Sequence, residues 1–455
     1  MNRFLVSAAH KSSGKTVVSA GLTTVLAERG YKVSTFKKGP DYIDPMWLGL
    51  ACGQPCWNLD FFTMRHEEIS ECFMQQSAGA DVALIEGNKG LFDGLDVEGG
   101  DSNAALAKLL NIPVVLVIDV TGITRGVAPL LSGYIAFDPE VRIAGVVLNR
   151  VAGPRHERKL RAAIDRYTDL PVLGAIPRLE ELQIEERHLG LVTSAEHSQA
   201  DSWLGSVAKT VDAAVEIDAL LDLSDGFTEE ILVEPVKKKQ PMDLRIAIAR
   251  DKAFGFYYPD DLAAFTRAGA ELVPFDTLSD QQLPDVDGLF IGGGFPEQFM
   301  DQLSANKRML ESVRKFIKKG GPAYAECGGL MYLCRSMRLS DTVVELVGVI
   351  PADVVMEDRP VGRGYMMCTS TAAHPWPNVA REAPQSYRLH EFHYSRLMNL
   401  CDSSETVFEV NRGYGIDGEK DGYVCHNLLA TYAHQRQVCD NPWVDRFVEF
   451  VRGCH

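Results

Sequence analysis

Phe4-Leu5-Val6-Ser7-Ala8-Ala9-His10-Lys11-Ser12-Ser13-Gly14-Lys15-Thr16 is the stretch whose reading decides the fold. The apolar run Phe4-Leu5-Val6 predicts a buried strand, and the residues after Thr16 read as helix through Arg29. A Gly-Lys-Thr tripeptide at such a strand-to-helix turn forms an anion cradle. Backbone N–H groups and the helix N-terminus face phosphate, Lys15 reaches the outer phosphates and Thr16 faces Mg2+. The usual pattern, GxxxxGK[ST], has a glycine where this chain has Ala9, so the flanking strand and helix carry the assignment. Ser13, Gly14, Lys15 and Thr16 are the expected nucleotide-binding residues.

Working outward, apolar runs at Phe4–Ala8, Val33–Phe36, Val82–Ile85, Val114–Ile118, Ile143–Leu148 and Val172–Ile176 alternate with longer amphipathic stretches. Near-continuous apolar strands separated by helices predict a parallel sheet covered on both faces. The run Val82-Ala83-Leu84-Ile85 ends in Glu86, which would emerge beside the phosphate loop, where Mg2+ must be held. After the second strand comes Gly39-Pro40-Asp41-Tyr42-Ile43-Asp44-Pro45, preceded by Lys37 and Lys38. Gly-Pro-Asp-Tyr is ordinary turn chemistry. Its place at the same sheet edge favours metal and substrate handling by Asp41 and Asp44, with the two lysines supplying positive charge to an anionic substrate.

From Glu180 to about Leu223 the pattern reads as mainly helical and polar, and Lys237-Lys238-Lys239-Gln240-Pro241 reads as a linker, fully compatible with a solvated basic run. A second α/β pattern opens at Leu244–Ala249 and continues through Leu272–Phe275 and Gly288–Ile291. A chain of 455 residues is too long for one ordinary domain. The expected division is 1–240 and 241–455, both doubly wound α/β.

In the second half, Ala325-Glu326-Cys327-Gly328-Gly329 follows a turn and a short strand and precedes an apolar helical run. A cysteine at a strand-to-helix turn is a candidate nucleophile, provided that a base and a helix N-terminus make its thiolate accessible. Gly292-Gly293-Gly294 ends the strand before it. With the Gly328 N–H, the backbone at Gly293 and Gly294 would form an oxyanion hole. An ATP-activating loop and a thiolate in one chain suggest an amidotransferase: ATP activates a carboxylate and the cysteine releases ammonia from glutamine.

The segment GPDYIDP, Asn58-Leu59-Asp60, and Glu86-Gly87 followed by Gly90-Leu91-Phe92-Asp93-Gly94 resemble the cobyrinic acid a,c-diamide synthase family over essentially the whole chain. The resemblance implies an N-terminal P-loop domain of the dethiobiotin-synthetase-like amidoligases and a C-terminal class I glutaminase domain of flavodoxin-like type. It implies ATP and Mg2+ as cofactors, with Lys15 and Thr16 holding both. Asp41, Asp44 and Glu86 would handle the metal and the acceptor carboxylate, and Asn149 would read adenine. Cys327 and His434, the latter in a Tyr-x-His pattern, would be the catalytic pair, and Thr16, Asp41 and Glu86 the metal set. Glutamine, ATP and a tetrapyrrole carboxylate are the implied small-molecule partners. Ammonia must be shielded on its way to the activated carboxylate. Asn88-Lys89 and Thr124-Arg125-Gly126 are similar to the sirohaem-amidating branch, so the acceptor stays open between a sirohaem-type tetrapyrrole and cobyrinic acid, as does a homodimer. One departure is Ala325, where the family commonly has glycine.

His390 and His393, in His390-Glu391-Phe392-His393, also match a family signature; their spacing could place both on one side of a strand or turn. Without a third ligand a structural role is preferred to a metal site. Glu391 is the one obvious carboxylate to orient a base, but the resemblance implies a Cys–His pair, so it stays outside the catalytic set. Cys52 and Cys56 have no second pair nearby and read as core rather than zinc ligands.

Composition narrows the classes. With 46 Lys and Arg against 62 Asp and Glu, the formal charge is −16, which argues against nucleic acid and anionic membranes as partners. Ten cysteines across this length do not form a disulfide framework, and no segment is apolar enough to span a membrane; a cytoplasmic location is expected. The rival class, a ParA/MinD-like regulatory ATPase with a degenerate C-terminal domain, needs neither the thiolate nor the GPDYIDP loop.

Overall fold

The computed structural model describes residues 1–179, 186–187, 190–191, 193, 199–224, 241–377, 384–401 and 404–454. The chain folds as two compact units, Met1–Glu234 and Pro235–His455. The basic run at 237–240 lies outside the described residues.

The first unit is built on strands β1 (Asn2–Ala8), β2 (Val33–Lys38), β3 (Cys56–Leu59), β4 (Val82–Glu86), β5 (Val114–Asp119), β6 (Ile143–Val151) and β7 (Val172–Pro177). They form one seven-stranded sheet in the order β3-β2-β4-β1-β5-β6-β7, and every pairing is parallel. Six of the seven coincide with the apolar runs. Strand β3 has only four residues and lies at the sheet edge, too short for an apolar run to announce it. With β4 on one side and β5 on the other, β1 sends its loop out at the C-terminal edge, where ligands bind in open α/β sheets.

The helix Lys15–Glu28 packs closely on Ala200–Ala214: a Cβ on Gly21 would stand 2.5 Å from Val211 Cγ2 and 2.9 Å from Val207 Cγ1. The stretch expected to be polar after Glu180 is therefore amphipathic where it is described. Trp203, Leu204, Val207, Ala208 and Val211 are buried on the core of the first sheet.

The second unit holds a nine-stranded sheet. Five strands, in the order Ala270–Phe275, Leu244–Ala249, Gly288–Ile291, Ala323–Glu326 and Leu428–Thr431, run parallel. The sheet then continues antiparallel through Lys420–Cys425, Thr406–Arg412, Gly362–Ser370 and Ser386–His393. The parallel part matches the expected doubly wound pattern. The antiparallel extension was not legible as apolar runs, because its strands alternate buried and exposed residues. Tyr324, Trp376, Trp443, Phe290 and Phe265 are buried together in its core.

Candidate active sites in the two units

At the end of β1 the chain turns through Ser12, at φ 63°, and Gly14, at φ 88°, into the helix that begins at Lys15. A left-handed φ is the conformation glycine tolerates best, and space demands glycine here as well. A Cβ on Gly14 would lie 2.2 Å from Asn149 Nδ2, and that same amide donates to the Ser13 carbonyl at 2.8 Å. Asn149, near the end of β6, is thus brought against the phosphate loop. Its amide keeps a second hydrogen that the loop does not use.

Lys15 is buried and donates through Nζ to the Lys89 carbonyl at 2.6 Å. Burial, then the charge of Lys37, lowers its pKa to about 8. The Lys89 loop is itself fixed by buried Asn103, whose Nδ2 donates to Asn88 O (2.5 Å), Gly90 O (2.8 Å) and Ser7 Oγ (3.1 Å). Lys89 thus serves the phosphate loop through its carbonyl, and Asn88 supports that loop through Asn103.

Thr16 Oγ1 donates to Glu86 Oε1 at 3.0 Å. The same oxygen accepts from Lys37 Nζ at 2.7 Å, and Lys37 also reaches Asp44 Oδ2 at 2.5 Å and Asp41 Oδ2 at 3.8 Å. Lys37 and Lys38 are only 2% and 3% exposed, so neither presents charge to an approaching macrocycle. That expectation is corrected: Lys37 is the hub of the acidic cluster. Exposed positive charge around the phosphate loop comes instead from Lys11 and Lys89.

The carboxylates differ in state. Burial pushes Glu86 up to about 7, and burial with the Asp44 charge pushes Asp41 up to about 6. Burial also works against ionised Asp44, but the Lys37 ammonium holds it below the usual range. Asp41 has a structural duty too, because its Oδ1 accepts from the backbone N–H of Ile43 and Asp44, and Asn58 Nδ2 holds the Asp41 carbonyl at 2.8 Å.

The residues fit a magnesium ion in a limited sense. Glu86 Oε2 is buried and accepts no hydrogen bond, and Thr16 and Glu86 offer hard oxygens in mutual contact. Asp41 stands further off, its Oδ2 3.8 Å from Lys37 Nζ. Among the described residues no group of three or more His, Cys, Asp or Glu forms a cage, and Mg2+ ordinarily completes its shell with phosphate and water.

In the second unit, Cys327 follows the strand Ala323–Glu326 with φ 48° and ψ −104°, a strained conformation for a residue with a Cβ. Its N–H donates to Thr431 O at 2.7 Å, and the helix Gly328–Leu333 starts at the next residue. A Cβ on Gly329 would stand 2.2 Å from Ile291 O, which is why the turn can fold so tightly. A Cβ on Gly328 would lie 3.1 Å from Gly294 N, so these two expected oxyanion-hole residues are neighbours. Gly293 lies directly against His434: its Cβ would meet His434 Cε1 at 2.4 Å and Nε2 at 3.3 Å. Ala325 keeps the strand buried and the turn intact.

The His434 backbone is tied to His390 in both directions, at 2.7 and 3.3 Å. Burial, then the nearby His393, lowers the His434 pKa to about 3, and burial with the charges of Glu297 and Glu326 raises that of Cys327. Both shifts favour the uncharged forms, a thiol and a neutral imidazole. His390 and His393 fall on opposite faces of the strand Ser386–His393, because three residues is an odd step in a two-residue repeat. Glu391 serves His393 Nε2 (3.6 Å) and the N–H groups of Tyr414 and Gly415, not His434. The carboxylate beside His434 is Glu326, with Oε2 3.5 Å from Nδ1. A charged residue closing the otherwise apolar strand Ala-Tyr-Ala-Glu was the signal for it.

Comparison with known proteins agrees with both halves. Residues 5–192 match the CobQ/CobB/MinD/ParA nucleotide binding domain and residues 245–441 the CobB/CobQ-like glutamine amidotransferase domain. The chain is 46% identical to a cobyrinate a,c-diamide synthase of Magnetococcus marinus, over 99% of this chain and 97% of that one. It is 38% identical to that of Archaeoglobus fulgidus, over 98% and 97%.

Proposed function

The chain belongs to the cobyrinate a,c-diamide synthase family of glutamine-dependent amidating ligases, and from that premise we propose that it amidates the a and c acetates of cobyrinic acid, using ATP and glutamine. The observation that carries the reading is the pairing, in one chain, of a phosphate loop whose Thr16 faces Glu86 with a strained Cys327, whose neighbour Gly328 lies against Gly294 while His434 lies against Gly293. A regulatory ATPase with a degenerate second domain has no use for the second of these.

In the synthetase unit an acetate oxygen attacks the γ-phosphorus, and the bond to ADP breaks. The resulting acyl phosphate gives the carboxyl a leaving group. Ammonia then forms the C–N bond, phosphate departs with the C–O electrons, and the nitrogen loses a proton. Lys15, freed from the Lys89 carbonyl, would offset charge on the phosphates, and Asn149 would contact the adenine from beneath the loop. Thr16 and Glu86, with Asp41 behind Lys37, would hold Mg2+, which supplies charge neutralisation on the phosphoryl group. Lys37 keeps Asp44 and Glu86 in place.

In the glutaminase unit the Cys327 sulfur attacks the glutamine amide carbon. The thiol proton passes to His434 and then to the departing nitrogen, so ammonia leaves and a γ-glutamyl thioester remains. Water, deprotonated by His434, cleaves the C–S bond, and the proton returns to sulfur. Backbone N–H groups at Gly293, Gly294 and Gly328 would stabilise both oxyanions.

No helix among the described residues is long and apolar enough to cross a membrane. The test is direct: cobyrinic acid and sirohaem are each incubated with ATP and glutamine, and the product masses are read. Two carboxamides on cobyrinic acid are expected; amidation of sirohaem alone would overturn the acceptor.

A further inference from the structure

We propose that Glu326, the residue immediately before the nucleophile, is the positioning carboxylate of the glutaminase: it stands at Nδ1 of His434 and fixes which ring nitrogen acts as base. The inference rests on the reading of Cys327 and His434 as the glutaminase pair.

The geometry is that of a two-point clamp. Glu326 closes the strand Ala323–Glu326 and pairs in register with Thr431, three residues before His434. Its Oε1 accepts from Gln435 N at 2.8 Å, the backbone N–H directly after His434, and from Tyr324 Oη at 2.7 Å. Its Oε2 stands 3.5 Å from His434 Nδ1. Nδ1 therefore faces the carboxylate while the Cε1–Nε2 edge faces the Gly293 turn. In its ionised form Glu326 favours the tautomer with hydrogen on Nδ1, which leaves Nε2 free to take the thiol proton, and it stabilises the imidazolium that forms. Burial raises its pKa to about 8, so kcat for glutamine hydrolysis should rise with pH toward 8 as that form grows. The 3.5 Å separation is long for a hydrogen bond, as catalytic contacts often are before substrate binds.

The surroundings leave the clamp nothing else to answer. Tyr324 is bound by Gln435 Nε2 at 2.9 Å, so the Oε1 side is a closed buried network. Two residues past His434 the side chain is not an acid but Arg436, committed to Asp260 at 2.6 Å. Asp421 holds the N–H groups of Tyr432 and Ala433, fixing the approach to His434 through the backbone only. Glu391 is committed to His393. Among these acids only Glu326 has an oxygen directed at the His434 ring.

The test compares Glu326→Gln, Tyr324→Phe and Cys327→Ser in the full-length protein, measuring glutamine hydrolysis, ammonia-driven amidation and thermal unfolding. Glu326→Gln keeps the shape and the Oε1 acceptor but removes the charge. It is expected to lower kcat for glutamine hydrolysis by about a hundredfold, with KM within about twofold. Ammonia-driven amidation and the unfolding temperature should stay close to those of the parent. Tyr324→Phe, which touches only the Oε1 side, should cost less than about tenfold. Parent-like kcat in Glu326→Gln overturns the proposal, as does an equal loss in Tyr324→Phe, or a loss that extends to ammonia-driven amidation and stability. If Cys327→Ser still hydrolyses glutamine, the glutaminase reading itself fails, a result distinct from all of these.

Discussion

Gly293→Ala isolates the glutaminase by one methyl group. Gly293 has no left-handed backbone requirement, so alanine is not excluded by its conformation. The new Cβ would instead stand 2.4 Å from His434 Cε1 and 3.3 Å from Nε2, where ordinary contact begins near 3.4 Å. The ring has to retreat by about 1 Å, because the strand backbone at Gly293 is paired with Phe256 and the His434 backbone is tied to His390. A displacement of about 1 Å at a reacting group costs about a hundredfold in rate, or roughly 2.7 kcal/mol of transition-state stabilisation. Assayed side by side, glutamine-driven amidation should fall by about that factor while ammonia-driven amidation is kept. Parent-like glutamine hydrolysis would refute the placement of His434 against the oxyanion turn. Parallel loss of the ammonia-driven route would refute the separation of the two chemistries.

Lys37→Met leaves three carboxylates without their buried cation, and removing one partner of a buried ion pair costs about 3–5 kcal/mol. Amidation with either nitrogen source should be lost, and ATP at saturating concentration should restore part of the lost unfolding temperature. Asp44→Asn should lower kcat with little change in KM for the tetrapyrrole, whereas Asp41→Asn should also lower stability, since Asp41 Oδ1 receives two backbone N–H groups. Unchanged kcat in both, with tetrapyrrole affinity lost, would make the loop a binding element. Burial raises Glu326 to about 8 and Asp421 to about 6, above the ordinary carboxylate values near 4. A carboxyl raised on folding contributes stability that is present below its unfolded pKa and lost as pH rises through the folded one. Calorimetry from pH 5 to 9 should therefore show the second unit's transition falling in temperature toward pH 8, with a shallower fall in Glu326→Gln; a rise would contradict this sign.

The parallel sheet of the first unit was legible because strands buried on both faces write themselves as apolar runs. The phosphate loop was legible because Gly14, Lys15 and Thr16 each answer a separate physical demand. Lys37 was misread as a substrate-facing charge, since a lysine at a strand end next to two acids reads the same whether it points outward or into the sheet. Only the depth of the cluster, where Glu86 is fully buried, settles its direction. Glu326 was quoted in the nucleophile motif yet given no role, because what it orients lies 108 residues away in sequence. Glu391, inside the signature His390-Glu391-Phe392-His393, was the one obvious orienting acid in the sequence and was left outside the catalytic set; in the structure it serves His393. The antiparallel extension escaped for the opposite reason to the parallel core: one face of each strand is partly exposed, and its apolar positions alternate.

The central claim, that Cys327 supplies nitrogen to a carboxylate activated at Lys15, is tested most directly by following amidation of cobyrinic acid by Cys327→Ser and Lys15→Ala with glutamine and then with free ammonia. Cys327→Ser should make no product from glutamine and amidate from ammonia as the parent does. Lys15→Ala should make none from either source, having lost the charge that stabilises the transferring phosphoryl group. Ammonia-driven product from Lys15→Ala at the parent's rate, or equal loss of both routes in Cys327→Ser, would contradict the account.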